Sequence, residues 1–108
     1  MYPSVATRKQ DEAARRAGLV EKIAARLGSY AKAKRGRYIL FGSLARGDAR
    51  FDSDVDLLID FPAEWEGEAW RTAEDLCAEL RIEVDMRPVA WCSADFLARI
   101  MPGARVIG

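Results

Sequence analysis

Two aspartates one residue apart, Asp54 and Asp56, lie near the end of the run FGSLARGDARFDSDVDLLID at residues 41–60, which opens on Phe41-Gly42-Ser43. A third, Asp85, sits in Ile82-Glu83-Val84-Asp85-Met86. On a strand, side chains alternate, so Asp54 and Asp56 point to one face while Val55, Leu57 and Ile59 fill the other. Two residues at ~3.3 Å rise put the two carboxylates within roughly 7 Å of each other. That spacing suits a shared hard cation or two adjacent ones. If Ile82–Met86 is a neighbouring strand, Asp85 joins them. Three carboxylates without an imidazole select Mg²⁺ or Mn²⁺. With no cation, such carboxylates raise one another's pKa and weaken the fold locally. A cluster that carries this cost reads as a site; a lone Asp-x-Asp reads more simply as a solvated edge strand.

The rest of the composition narrows the chemistry. The chain has no histidine, which excludes Ser-His-Asp and Cys-His catalysis and imidazole-ligated zinc. Its two cysteines, Cys77 and Cys92, form no Cys-x-x-Cys pair, and Cys77 falls in an apolar helical register. Gly42 and Gly47 have the glycine spacing of a Walker A loop, but Asp48 and Ala49 follow where lysine and a hydroxyl residue belong. Asp52-x-Asp54-x-Asp56 opens like an EF-hand loop, but Leu57 stands at the glycine position and Ala63 at the glutamate position.

The elements that must position these residues follow from periodicity. Residues 10–34 read as one helix with Val20, Ile23, Leu27 and Tyr30 as its apolar stripe and a break possible near Gly28. Lys32, Lys34, Arg35 and Arg37 gather near its end, where cations suit the helix dipole. Tyr38–Phe41 and Val55–Ile59 are short buried strands, the second stopped by Pro62. Residues 65–80 form a helix with Trp70, Ala73, Cys77 and Leu80 on one face. Ile82–Met86 is a half-wet strand ended by Pro88, and Ser93 caps a last helix from Ala94 to Met101, ahead of a tail. Trp65, Trp70 and Trp91 are expected in or against the core. The order gives an α/β (α+β) domain with a small mixed sheet of at least three strands, flanked by helices, as a single domain over residues 1–108.

The stretch Gly42-Ser43, ten residues, Asp54-Val55-Asp56 resembles the signature of the polymerase-β-like nucleotidyltransferase superfamily. The fuller string GSLARGDARFDSDVDLLID looks like its small stand-alone branch, the minimal nucleotidyltransferases, with Asp85 at the position of the third carboxylate. The resemblance covers roughly residues 20 to 90. It implies that Asp54, Asp56 and Asp85 are the catalytic residues and hold two Mg²⁺ ions. It also implies that ATP is the nucleotide substrate and that Asp85 takes the proton of the attacking hydroxyl. Gly42 would let the backbone approach the triphosphate, and Ser43 would donate its hydroxyl and N–H to phosphate oxygens at a helix start. Arg46 either reaches a phosphate or pairs with Asp48 or Asp52.

Members of the minimal branch resemble the antitoxin of a pair whose toxin is a helical ribonuclease of the HEPN type. That implies transfer of AMP to a tyrosine of the toxin. The alternatives are masking of the toxin by binding alone and a small-molecule, aminoglycoside-like nucleotidyltransferase. A chain this short has no evident acceptor domain, so the acceptor is expected from a partner protein, with a homo-oligomer as a second route to a complete cleft. Seventeen basic and seventeen acidic side chains balance to zero net charge, which offers no footprint for nucleic acid or an anionic membrane. The charged amino terminus MYPSVATRKQDEAARR carries no apolar leader, so a cytoplasmic location is expected.

Overall fold

The computed structural model describes residues 4–108; Met1–Pro3, the start of that amino-terminal stretch, lie outside the described residues. Helix α1 spans Val5–Ala33, capped by Ser4, whose side chain accepts a hydrogen bond from the Thr7 N–H. It begins earlier than the apolar stripe indicates and does not break at Gly28. A glycine costs a helix about 1 kcal/mol. Here Leu27 and Ala31, both buried, straddle Gly28, and burying a leucine side chain contributes roughly 1.5–3 kcal/mol. The buried stripe is Leu19, Ile23, Leu27 and Ala31, so the helix is rotated from the expected face and Val20 and Tyr30 flank it half-buried. The helix ends where Arg35 turns left-handed and the Gly36 N–H reaches back 2.9 Å to the Ala31 carbonyl.

Strand β1 (Arg37–Phe41) leads into the five-residue helix α2 (Gly42–Arg46), and β2 spans Val55–Asp60. Helix α3 (Ala63–Glu79) then crosses over to β3 (Val84–Pro88). A one-turn 3₁₀ segment (Val89–Trp91), helix α4 (Ala94–Ile100) and a second one (Met101–Gly103) lead to β4 (Arg105–Ile107). The sheet order is β3-β2-β1-β4: β1 runs antiparallel to both β2 and β4, while β2 and β3 are parallel. The mixed sheet of the expectation is therefore present with a fourth strand, formed by what reads in the sequence as a tail. β3 starts at Val84 and not at Ile82 and takes in Pro88 as its last residue, a position a proline tolerates because β3 is an edge.

One sheet face packs under α1 and α3. Tyr38, Leu40, Val55, Leu57 and Ile59 of the strands meet Ile23, Leu27, Ala69, Ala73 and Cys77 of the helices in a single core. On α3 the buried residues are Ala69, Ala73, Leu76 and Cys77, with Trp70 and Leu80 half-buried at the margin. Trp91 is 73% exposed, against the expectation of a packed tryptophan; its ring is tilted against that of Trp70, at 6.5 Å between centroids. Two members of the basic cluster at the end of α1 make surface contacts: Arg37 pairs with Asp60 at 2.7 Å and Lys34 lies 3.8 Å over the Trp65 ring. Among the described residues no helix is long and apolar enough to cross a membrane. The opposite sheet face carries Phe41, Asp56, Leu58 and Asp85, because paired residues of adjacent strands share a face.

Candidate active site

The apolar run of β1 delivers the chain to Gly42, which adopts a φ of 78°. That left-handed conformation is open to glycine at little cost. A second constraint acts at the same residue: a Cβ built on Gly42 would land on a carboxylate oxygen of Asp56. The space beside Gly42 is thus filled by Asp56 itself, a stronger reason for glycine than the approach of a phosphate that the motif suggests. Gly47, at φ 79°, then closes α2.

Ser43 opens α2 with its Oγ 2.8 Å from Ser53 Oγ. Ser53 is buried, and its Oγ also accepts the Arg50 N–H at 2.8 Å, so it caps the turn that leads into β2. Either hydroxyl can be the donor of that pair, and when Ser53 donates, the Ser43 hydrogen is left for a ligand. Arg46 pairs with Asp48 at 3.5 Å, both side chains largely exposed, and not with Asp52.

The parallel β2–β3 ladder sets Asp56 directly beside Asp85, on strands about 4.8 Å apart. Asp56 is half-buried, and its carboxyl is pushed above the usual aspartate range by burial first, then by the charges of Asp85 and Asp54; Arg87 and Arg46 pull the other way. Asp54 lies one residue ahead of β2. Its carboxylate is 3.6 Å from Arg16 Nη1, which also donates a 2.6 Å hydrogen bond to the Ser53 carbonyl. Asp85 is drawn to Arg87 at 3.7 Å. The side chains of Asp54 and Asp85 are 44% and 64% exposed, so the face is open to a large reactant. Among the described residues no three acidic, cysteine or histidine side chains converge closely enough to hold a metal ion. Asp54 and Asp85 each lean toward an arginine, as repelling carboxylates do when a nearby cation is on offer. The donor set nevertheless fits a hard divalent cation: oxygen ligands only, two of them in register, the middle one held above its ordinary pKa by burial and then by the other two.

The family model described as a nucleotidyltransferase domain matches residues 20–96. The chain belongs to the nucleotidyltransferase domain family. No curated protein sequence matches it. The matched part of this nucleotidyltransferase domain holds Gly42, Ser43, Arg46, Asp54, Asp56 and Asp85.

Arg16 lies outside that stretch and carries no motif. Its signal in the sequence is only Glu12 one turn earlier, whose Oε1 accepts from Arg16 Nε at 2.9 Å. Glu12 is held down to about 2, chiefly by hydrogen bonds from Arg15 and then Arg16. Arg15 in turn donates to the carbonyls of Leu80 and Arg81, so this corner of α1 clamps the approaches to both β2 and β3. With its side chain 17% exposed, Arg16 acts as a strut under Ser53-Asp54. Arg16→Ala is expected to lower unfolding free energy by roughly 1.5–3 kcal/mol, the range for hydrogen bonds from a charged group, as read by urea denaturation. A change below a few tenths of a kcal/mol would mean that the strut is a surface contact only.

Proposed function

We propose that this nucleotidyltransferase domain transfers AMP from ATP to a hydroxyl of a partner protein, as the antitoxin of a HEPN-type ribonuclease toxin. The observation that carries the transfer chemistry is the in-register pair Asp56–Asp85 beside the Gly42 turn. Asp54, Asp56 and Asp85 would hold Mg²⁺, which when bound neutralises the triphosphate and acidifies the attacking hydroxyl. Ser43 donates its hydroxyl hydrogen to a phosphate oxygen while Ser53 donates to Ser43 Oγ. The acceptor oxygen forms a bond to the α-phosphorus, the bond from that phosphorus to the bridging oxygen breaks, and pyrophosphate leaves. The exposed Asp85 carboxylate receives the hydroxyl proton.

Openness of the carboxylate face favours a protein acceptor. Small molecules are bound in concave sites that bury most of their surface, whereas Asp54 and Asp85 are about half exposed or more. A tyrosine presented on a partner's surface can reach such a face without an acceptor pocket. The toxin partner itself rests on the resemblance to minimal nucleotidyltransferases.

The test is incubation with ATP, Mg²⁺ and the product of the neighbouring gene, followed by intact mass spectrometry. The acceptor should gain one or more AMP units and lose ribonuclease activity. Asp54→Asn should abolish the mass shift while the two proteins still bind. If Asp54→Asn still neutralises the toxin at stoichiometric ratio, the protein acts by masking. If no protein acceptor is labelled but a small hydroxylated molecule is, the small-molecule reading replaces both.

A further inference from the structure

A pocket of about 360 Å³ opens beside the Gly42 turn, lined by Phe41, Gly42, Arg46, Arg99, Ile100 and Gly103. Its volume falls within the range of roughly 300–1,000 Å³ usual for small-ligand sites. One of its lining residues is the glycine that abuts Asp56, so the pocket neighbours the middle carboxylate of the site. Arg46 comes from α2 and Arg99 from α4, beyond the matched residues 20–96.

Both arginine side chains rest on neighbouring groups of the pocket. The stem of Arg46 beds against Gly103, where a Cβ would come within 3.2 Å of Arg46 Cγ. Arg99 is 5.7 Å from the centroid of the Phe96 ring, and Phe96 packs edge-on against Phe41 at 5.7 Å. Arg99 has no carboxylate partner among the described residues. An aromatic ring holds the cation in place without neutralising it. Arg46 has only its exposed pair with Asp48, which costs little to exchange. The pocket therefore sets two available cations among its lining residues, with the Asp56 carboxylate next to a third of them, Gly42.

A ligand that suits both ends carries several negative charges for the arginines and brings a cation to the carboxylate. We propose that Arg99 binds the terminal phosphates of the nucleoside triphosphate together with Arg46, which lines the same pocket. Guanidinium groups fork onto phosphate oxygens with paired hydrogen bonds. The assignment rests on the donor-site reading above and adds α4, which the motif does not include, to that site. It also places the departing pyrophosphate against the same two side chains.

Calorimetric titration of the full chain with ATP and with AMP, in Mg²⁺, tests it on wild type, Arg99→Ala and Arg99→Lys. Arg99→Ala is expected to weaken ATP binding about 10- to 100-fold, the span for a lost charged hydrogen-bond pair. AMP binding should not change, and Arg99→Lys should recover part of the loss. Inhibition by pyrophosphate should weaken by the same factor as ATP binding. Equal ATP affinity in wild type and Arg99→Ala overturns the assignment alone, as does equal weakening of ATP and AMP. Failure of wild type to bind ATP overturns the donor-site reading and this assignment with it.

Discussion

Asp56→Asn is expected to melt above the wild-type protein in chelator at neutral pH and yet to lose nucleotidyl transfer by about three orders of magnitude. The two effects share a cause. Asp56 is half-buried in register with Asp85, and burial, Asp85 and Asp54 together raise its pKa. For a carboxyl raised in this way, the neutral form is the one the fold prefers. Its contribution to stability is full below the ordinary aspartate value of 3.8 and is withdrawn as pH rises through the raised folded value. At neutral pH the charge is therefore a burden, which the amide removes with little change of shape. The melting gap between mutant and wild type should narrow as pH falls through that window. The same charge is what a divalent cation requires, and the triphosphate is held through that cation, so Mg²⁺ with ATP should raise the melting temperature of wild type only. Equal melting in chelator, together with an unchanged response to Mg²⁺-ATP in Asp56→Asn, would sink the shared-site reading.

The carboxylates were legible in the sequence because a motif of fixed spacing constrains a turn and a strand at once. Alternation alone puts Asp85 opposite Ile82, Val84 and Met86, and the parallel β2–β3 ladder then sets it beside Asp56. Periodicity and a capping serine located α1, α3, α4 and the first three strands but not their margins, and the five-residue α2 read only as a small turn or helix. In α1 the choice between Val20/Tyr30 and Leu19/Ala31 as the buried face depends on the rotation imposed by β1 and β4, which no local pattern carries. β4 has three residues, too few for alternation to register, and exists because Tyr38, Ile39 and Leu40 offer it a ladder. Trp91 is apolar by type but sits on a 3₁₀ turn past the sheet edge, where little is left to cover it. Arg16 and Arg99 could not be singled out, since each is one of many surface-type arginines until α1 and α4 are placed against the motif.

The turn glycines allow backbone conformation and carboxylate placement to be separated. Gly42→Ala should cost about 1–2 kcal/mol for a side chain forced into a left-handed conformation. Gly47→Ala should cost the same, since Gly47 has nearly the same φ, of 79° against 78°. The surroundings differ. A Cβ at position 47 meets nothing within 4 Å, whereas one at position 42 collides with the Asp56 carboxylate. Asp56 cannot yield toward Asp85 without closer contact between like charges, so it must swing away from the face it shares. Gly42→Ala is therefore expected to lose nucleotidyl transfer nearly as completely as Asp56→Asn, by about 10²-fold or more, a misplacement of the kind that disables an aligned site. Gly47→Ala should keep transfer within about threefold once both proteins are assayed below their melting transitions, which thermal unfolding would locate. Similar losses of transfer in the two variants would assign the effect to the backbone of the turn as a whole. Full transfer by Gly42→Ala would mean that Asp56 tolerates the displacement and is not the carboxylate on which the chemistry turns.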